Sequence, residues 1–141
     1  MLLEIKDLCA GYGDLQVLFN ISMNVDEGEV VSLVGSNGAG KTTLLRILSG
    51  LEPVKSGTIT YRGEDLTRIK AYEKADHRIA HIPQGRGILG SLSVRENLVM
   101  GAYPKAARAA LEENIQKSFE MFPILKERQN QMAGSLSGGM P

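Results

Sequence analysis

With 141 residues, 43% of them hydrophobic and 23% charged, the chain has the length and apolar content of one folded domain, which argues against disorder. Sixteen Lys and Arg balance sixteen Asp and Glu, so there is no global basic field to gather nucleic acid. Cys9 is the only cysteine, which excludes an internal disulfide and suits a reducing compartment. No apolar run approaches a membrane span, and Met1-Leu2-Leu3 is followed at once by Glu4 and Lys6 rather than by a signal-peptide core. The expectation is a cytoplasmic chain, or one peripheral to a membrane through partners.

The N-terminal third has the pattern of antiparallel sheet. Leu3 and Ile5 alternate with Glu4 and Lys6, and Ile21, Met23 and Val25 alternate with Ser22 and Asn24, the period of half-buried strands. Cys9 reads as a small buried hydrophobe on the first of them. Between the two strands, Gly11-Tyr12-Gly13 forms a loop that displays one aromatic ring. Such a ring is either a surface turn tyrosine, the commoner case, or a platform for a stacked base. Asp26-Glu27-Gly28 then turns the chain into an apolar strand over residues 29–34.

Directly after that strand comes Gly35-Ser36-Asn37-Gly38-Ala39-Gly40-Lys41-Thr42-Thr43, which fits the phosphate-binding pattern G-x-x-x-x-G-K-[ST] without a mismatch. Chance would produce the pattern in a chain this long at about one to two percent even with its rich glycine, and the flanking elements lower that further. A helix follows, with Leu44, Leu45, Ile47 and Leu48 on one face. Glycines at positions 35, 38 and 40 let successive N–H groups turn inward as an anion nest, and the helix adds the positive end of its dipole. Lys41 supplies a point charge for the β- and γ-phosphates, Thr42 a hydroxyl ligand for Mg2+, and Thr43 a contact to an inner phosphate.

Gly50 is placed to end the helix, with Pro53 as a further stop. Residues 58–62 read as a strand closed by a turn at Gly63, residues 70–76 as a short helix, and residues 79–82 as a brief buried strand ended by Pro83. Gln84 follows in a loop with three glycines; its amide oxygen suits Mg2+ or a positioned water, although a solvated loop residue is the blander reading. Ser93 with Glu96 forms a capping box that starts a helix at Val94. One longer helix is predicted over residues 105–122, with Leu111, Ile115, Phe119 and Phe122 on a core stripe, broken by Pro123. The tail contains Leu136-Ser137-Gly138-Gly139, on its own only a flexible turn.

In this order, the Gly-Tyr-Gly loop, the P-loop, the strand followed by Gln84, and the Leu-Ser-Gly-Gly tail resemble the nucleotide-binding subunits of ABC transporters over essentially the whole chain. Residues 83–89 and 92–98 resemble in particular the importers of branched-chain amino acids, and nearly as well those of urea or short amides. The resemblance implies an α/β fold: a P-loop NTPase core with an N-terminal antiparallel β subdomain, about residues 1–84, and a helical subdomain, about residues 85–139. It implies ATP and Mg2+ as ligands, with Tyr12 stacked on adenine, residues 35–43 around the phosphates, Thr42 and Gln84 at the metal, and Ser137, Gly138 and Gly139 gripping a second ATP in trans. It also implies a second ATP-binding subunit, permease subunits met through about Arg86 to Tyr103, a place on the inner face of the cell membrane, and no nucleic acid.

Complete members of this family carry further parts beyond Leu-Ser-Gly-Gly: a strand ending in Asp, an adjacent catalytic Glu and a histidine at the γ-phosphate. No apolar run ending in Asp-Glu occurs here, and His77 and His81 precede Gln84. The resemblance therefore reads the chain as the N-terminal part of an ATPase, truncated before the Walker B strand. The alternatives are a nucleotide-binding module without turnover, and a soluble ABC protein acting on ribosomes or nucleic acid, which the neutral charge disfavours.

Overall fold

The alternation at the N-terminus yields two long strands, β1 (Leu3–Tyr12) and β2 (Leu15–Val25), joined by a tight turn at Gly13 and Asp14. They pair antiparallel from Leu3↔Val25 to Tyr12↔Leu15, so Gly11 and Tyr12 belong to the strand rather than to a loop. β3 (Val54–Tyr61) pairs on the other side of β1, and the two-residue β4 (Glu64–Asp65) completes the sheet in the order β2-β1-β3-β4. This computed structural model describes residues 1–85 and 87–136, which fall into two units, Met1–His81 and Ile82–Pro141.

Strict alternation does not survive in β1. Asp7 has φ 47° and the register shifts between Ile5 and Leu8, so these two residues, three apart, both enter the core. There they meet Ala10, Leu18, Ile59 and Leu66, with Leu44 and Ile47 from helix α1 (Lys41–Leu48). Leu45, expected on that buried face, is 45% exposed. Cys9 is only half buried: its thiol donates to Asn20 Oδ1 at 3.1 Å and accepts from the Asn20 N–H at 3.3 Å. That backbone hydrogen bond, together with one from Ser56, pulls the thiol below its ordinary range.

Helix α1 is tied down at its C-terminal end by two devices. Gly50, at φ 74°, donates to Ile47 O at 2.9 Å while Leu51 N donates to Arg46 O at 2.8 Å, the pair of bonds of a Schellman motif. Lys74, the last residue of α2 (Ala71–Lys74), is 2% exposed and donates from Nζ to Leu48 O at 2.9 Å and Ile47 O at 3.3 Å. A cation at the negative end of a helix dipole is favoured, but burial still pushes the ammonium below 10.5.

Two predicted strands do not form. Residues 29–34 and 79–82 pair with nothing among the described residues, and Val30, Val34 and Ile82 are 93%, 93% and 90% exposed. Apolar sequence supplies side chains for a buried strand, but a ladder needs a second backbone in register, and no described segment pairs with either stretch.

In the second unit the capping box forms as predicted: Ser93 N donates to Glu96 Oε2 at 2.7 Å, Glu96 N donates to Ser93 Oγ at 3.2 Å, and α3 (Val94–Gly101) begins there. The single helix predicted over residues 105–122 is instead α4 (Lys105–Ala109) and α5 (Leu111–Met121), broken at Ala110. The carbonyl of Ala107, which an unbroken helix would give to Leu111 N, accepts from Ala110 N at 3.2 Å and from Asn114 Nδ2 at 3.3 Å. Ile115 and Phe119 are buried, whereas Phe122 is 53% exposed in the extended residue before Pro123, where α6 (Pro123–Glu127) starts. A 3₁₀ turn at Ala133–Ser135 follows.

Lys74 gives a pH signature. Its folded pKa lies below the unfolded 10.5, so at pH values between the two the unfolded chain binds more protons and stability rises with pH. The neutral amine retains two N–H donors, enough for both carbonyls. Urea unfolding of the parent chain should therefore show a gain as pH climbs toward 10.5 that Lys74→Met lacks; parallel curves for the two would contradict the buried cation.

Candidate functional site

The phosphate-binding pattern is realised where the loop of residues 35–40 meets the first turn of α1. Gly40 caps the helix in the left-handed conformation at φ 87°, with no side-chain cap and no acidic residue in the first turn. The helix therefore presents its N-terminal N–H groups and the positive end of its dipole to an outside anion rather than to its own side chains. A Cβ on Gly40 would lie 2.6 Å from Leu18 Cδ2 and 3.4 Å from Val17 Cγ1, so the loop sits directly on β2 and only glycine fits.

Residues 35–39 are exposed. Lys41 Nζ donates to Gly35 O at 2.8 Å and Ser36 O at 2.7 Å, and Ala39 N donates to Ser36 O at 3.2 Å. The loop thus curls around its own lysine, whose two acceptors are neutral carbonyls, and the positive charge stays uncompensated by either. Thr42 is exposed, whereas Thr43 is 6% exposed and its Oγ1 lies 3.3 Å from the Tyr12 hydroxyl. Tyr12 itself, at the end of β1, is 41% exposed. One turn further along α1, Arg46 is committed to Glu52 at 2.7 Å; that hydrogen bond chiefly, with the Tyr12 phenol nearby, raises the guanidinium above its ordinary value.

The structure thus brings together Tyr12 and residues 35–43. Gln84 belongs to the second unit, where it is exposed, and Ser137, Gly138 and Gly139 lie outside the described residues, as does Arg86. No group of three or more His, Cys, Asp or Glu capable of holding a metal occurs among the described residues. A cation here would be held through the Thr42 hydroxyl and the oxygens of its own ligand, which suits Mg2+ and its retained waters.

Two residues of consequence escaped the sequence reading. Lys74, in a run of polar residues, gives no signal of burial. Asn97, noticed only as part of a longer stretch, accepts from Leu89 N at 2.8 Å and donates to Leu89 O and Ser93 O at 3.0 and 2.9 Å, clamping the segment that leads into α3. Leu89, Met100 and Tyr103 of that region are 47%, 54% and 60% exposed.

A P-loop helix on an antiparallel sheet, followed by a separate helical unit, defines an α/β P-loop protein. The ABC transporter family model matches residues 18–141, and the chain belongs to that family. Among its relatives, the high-affinity branched-chain amino acid transport ATP-binding protein BraG of Pseudomonas aeruginosa is 42% identical over 128 residues, covering 91% of this chain and 54% of the relative. The probable branched-chain amino acid transport ATP-binding protein LivF of Archaeoglobus fulgidus is 34% identical over 99% of this chain and 58% of its own length. The phosphonates import ATP-binding protein PhnC of Fusobacterium nucleatum is 41% identical over 70% of this chain and 41% of its own. A solved structure of an ATP-binding subunit of an ABC transporter superposes with a TM-score of 0.80 at 30% identity, over 99% of this chain and 57% of that one. The chain therefore spans a little over half the length of the branched-chain relatives. No helix among the described residues is long and apolar enough to cross a membrane.

The two left-handed loop glycines should respond differently to a side chain. A Cβ on Gly38 meets nothing within 4 Å, so Gly38→Ala pays backbone strain alone, about 1 kcal/mol; Gly40→Ala must also displace Leu18 and should cost clearly more, about 2–3 kcal/mol. Urea unfolding of the two variants compares them, and equal losses would show that β2 does not seat the loop.

Proposed function

We propose that the chain is the ATP-binding part of an ABC importer subunit whose whole protein couples ATP binding and hydrolysis to uptake of a branched-chain amino acid or a related small solute. The observation that carries this reading is the first turn of α1, uncapped by side chains and free of acidic residues, beside a lysine whose partners are only loop carbonyls. The names of the relatives support the importer class, and the two branched-chain amino acid proteins among them, beside one phosphonate importer, favour an amino acid as the solute.

In this scheme a polyphosphate takes over the donors that the loop now spends on itself. Lys41 exchanges Gly35 O and Ser36 O for phosphate oxygens, the stronger acceptors, Ala39 N–H gives up Ser36 O, and the N–H groups of the first turn of α1 add fixed dipoles. Tyr12 offers its exposed ring to adenine. Mg2+, with Thr42 and Gln84 as its protein ligands, would neutralise phosphate charge. Ser137, Gly138 and Gly139 would close over the ATP of a second subunit, and residues 86–103 would meet the permease through exposed Leu89, Met100 and Tyr103. Such a subunit works on the cytoplasmic side, peripheral to the membrane.

Two titrations by calorimetry test the reading. Lys41→Ala should lower MgATP affinity at least tenfold with an unchanged circular dichroism spectrum, because it deletes a charge-assisted contact and no core packing; unchanged affinity would refute the P-loop assignment. Tyr12→Ala should weaken ATP by about 1–3 kcal/mol and inorganic tripolyphosphate far less. Equal losses for both ligands would remove Tyr12 from the base site.

A further inference from the structure

We propose that Asn37 is a modification site: its side-chain amide cyclises with the Gly38 backbone nitrogen and hydrolyses to a carboxylate that disables the loop for polyphosphate, while bound nucleotide guards the loop against the reaction. The consequence for binding rests on the nucleotide reading above; the reaction itself does not.

Sequence and geometry converge on this residue. Of the chain's six asparagines only Asn37 precedes a glycine; Asn20, Asn24, Asn97, Asn114 and Asn130 precede Ile, Val, Leu, Ile and Gln, whose side chains crowd the backbone nitrogen that must attack. Residues 35–39 are exposed, so water reaches the dipeptide. Nothing lies within 4 Å of where a Cβ on Gly38 would stand, which leaves room for a ring. Among the described residues no hydrogen bond engages the Gly38 N–H or the Asn37 side-chain amide. One backbone bond, from Ala39 N to Ser36 O at 3.2 Å, spans the turn they occupy, with Gly38 at φ 86°. Opening that turn lets the peptide between Asn37 and Gly38 rotate its nitrogen toward the amide carbon.

The Gly38 nitrogen, giving its proton to hydroxide, bonds to Asn37 Cγ; the Nδ2 group gains a proton and leaves as ammonia, and the product is a succinimide. Water then opens the ring at either carbonyl to give an aspartyl or an isoaspartyl residue, with no redox step. Either product puts a negative charge between Ser36 and Ala39, where the proposed ligand is itself an anion. The isoaspartyl product also lengthens the backbone by a methylene and re-aims the N–H groups. Polyphosphate does the converse: by engaging the loop N–H groups it holds the turn shut and keeps the nitrogen from the side chain.

Incubating the full chain in mildly alkaline buffer, with and without MgATP, tests this when followed by peptide mapping with fragment-ion sequencing and by calorimetric titration. Residue 37 should gain about 1 Da, about tenfold or more faster than any of the other five asparagines. Saturating MgATP should slow the gain about threefold or more. Asn37→Gln, whose longer side chain cannot close the same ring, should hold its mass. Asn37→Asp should bind MgATP about tenfold more weakly, or worse, with an unchanged circular dichroism spectrum. If that variant fails to fold, the fall in affinity of the incubated parent with its extent of modification decides instead. Equal rates at all six asparagines, an undiminished rate under MgATP that binds, or parent-like affinity in Asn37→Asp would overturn the proposal. If the parent binds no MgATP, or Lys41→Ala binds it as the parent does, the nucleotide reading falls and the guard with it, whatever the mass at residue 37. Binding lost in Lys41→Ala, with no mass gain at residue 37, keeps the reading and discards the modification.

Discussion

Everything in the first unit depends on how an eight-residue helix is held. A helix of this length is unstable alone, because nucleation costs more than two turns of hydrogen bonds return. α1 persists because Leu44 and Ile47 enter the core of the sheet while both ends are fastened. At the N-terminus, Gly40 brings the backbone against Leu18 and Val17 of β2. At the C-terminus, Gly50 and Lys74 take up the carbonyls that the helix leaves unpaired. The fastening is asymmetric in a useful way: protein groups satisfy the carbonyl end, and the N–H end is left for a ligand.

The consequence for chemistry is that the site is made largely of backbone. Side chains supply one charge, Lys41, and four hydroxyls, those of Tyr12, Ser36, Thr42 and Thr43, one pair of which is already joined. Preorganisation therefore comes from the seating of the helix rather than from a network of polar side chains, and substitutions that loosen the seat act on the site without lying in it. Lys74 is the clearest case. It stands 26 residues from Leu48 in sequence and at the far end of α1 from Lys41, where it holds the carbonyl end of the helix that carries the P-loop.

What the sequence disclosed and what it concealed divide along a physical line. The P-loop, the Ser93 capping box, the Gly50 stop and the Pro123 break were legible because each is written in a few contiguous residues whose backbone preferences decide the matter. Residues 29–34 carry an equally clear apolar pattern, but a strand exists only against a neighbour, and its pattern says nothing about whether one is present. The break at Ala110 turns on one asparagine amide competing for one carbonyl, too fine a balance for periodicity to show. The burial of Lys74 and the bond between Tyr12 and Thr43 join residues 26 to 31 positions apart, so they arise from tertiary packing alone. In the candidate site, the P-loop was legible in the motif, whereas the contact between Tyr12 and Thr43 was not.

Local and global electrostatics also separate here. With a formal net charge of zero, the chain exerts little long-range pull on polyanions such as nucleic acid, and nothing in its overall balance announces an anion site. In the proposed site the attraction is local instead, supplied by the N-terminus of α1 and by Lys41. On the proposed function, binding is an exchange in which Lys41 leaves two neutral carbonyls for charged oxygens. Because Lys41 is already paired with two carbonyls, the proposed gain on binding is the difference between neutral and charged acceptors rather than the satisfaction of an empty donor.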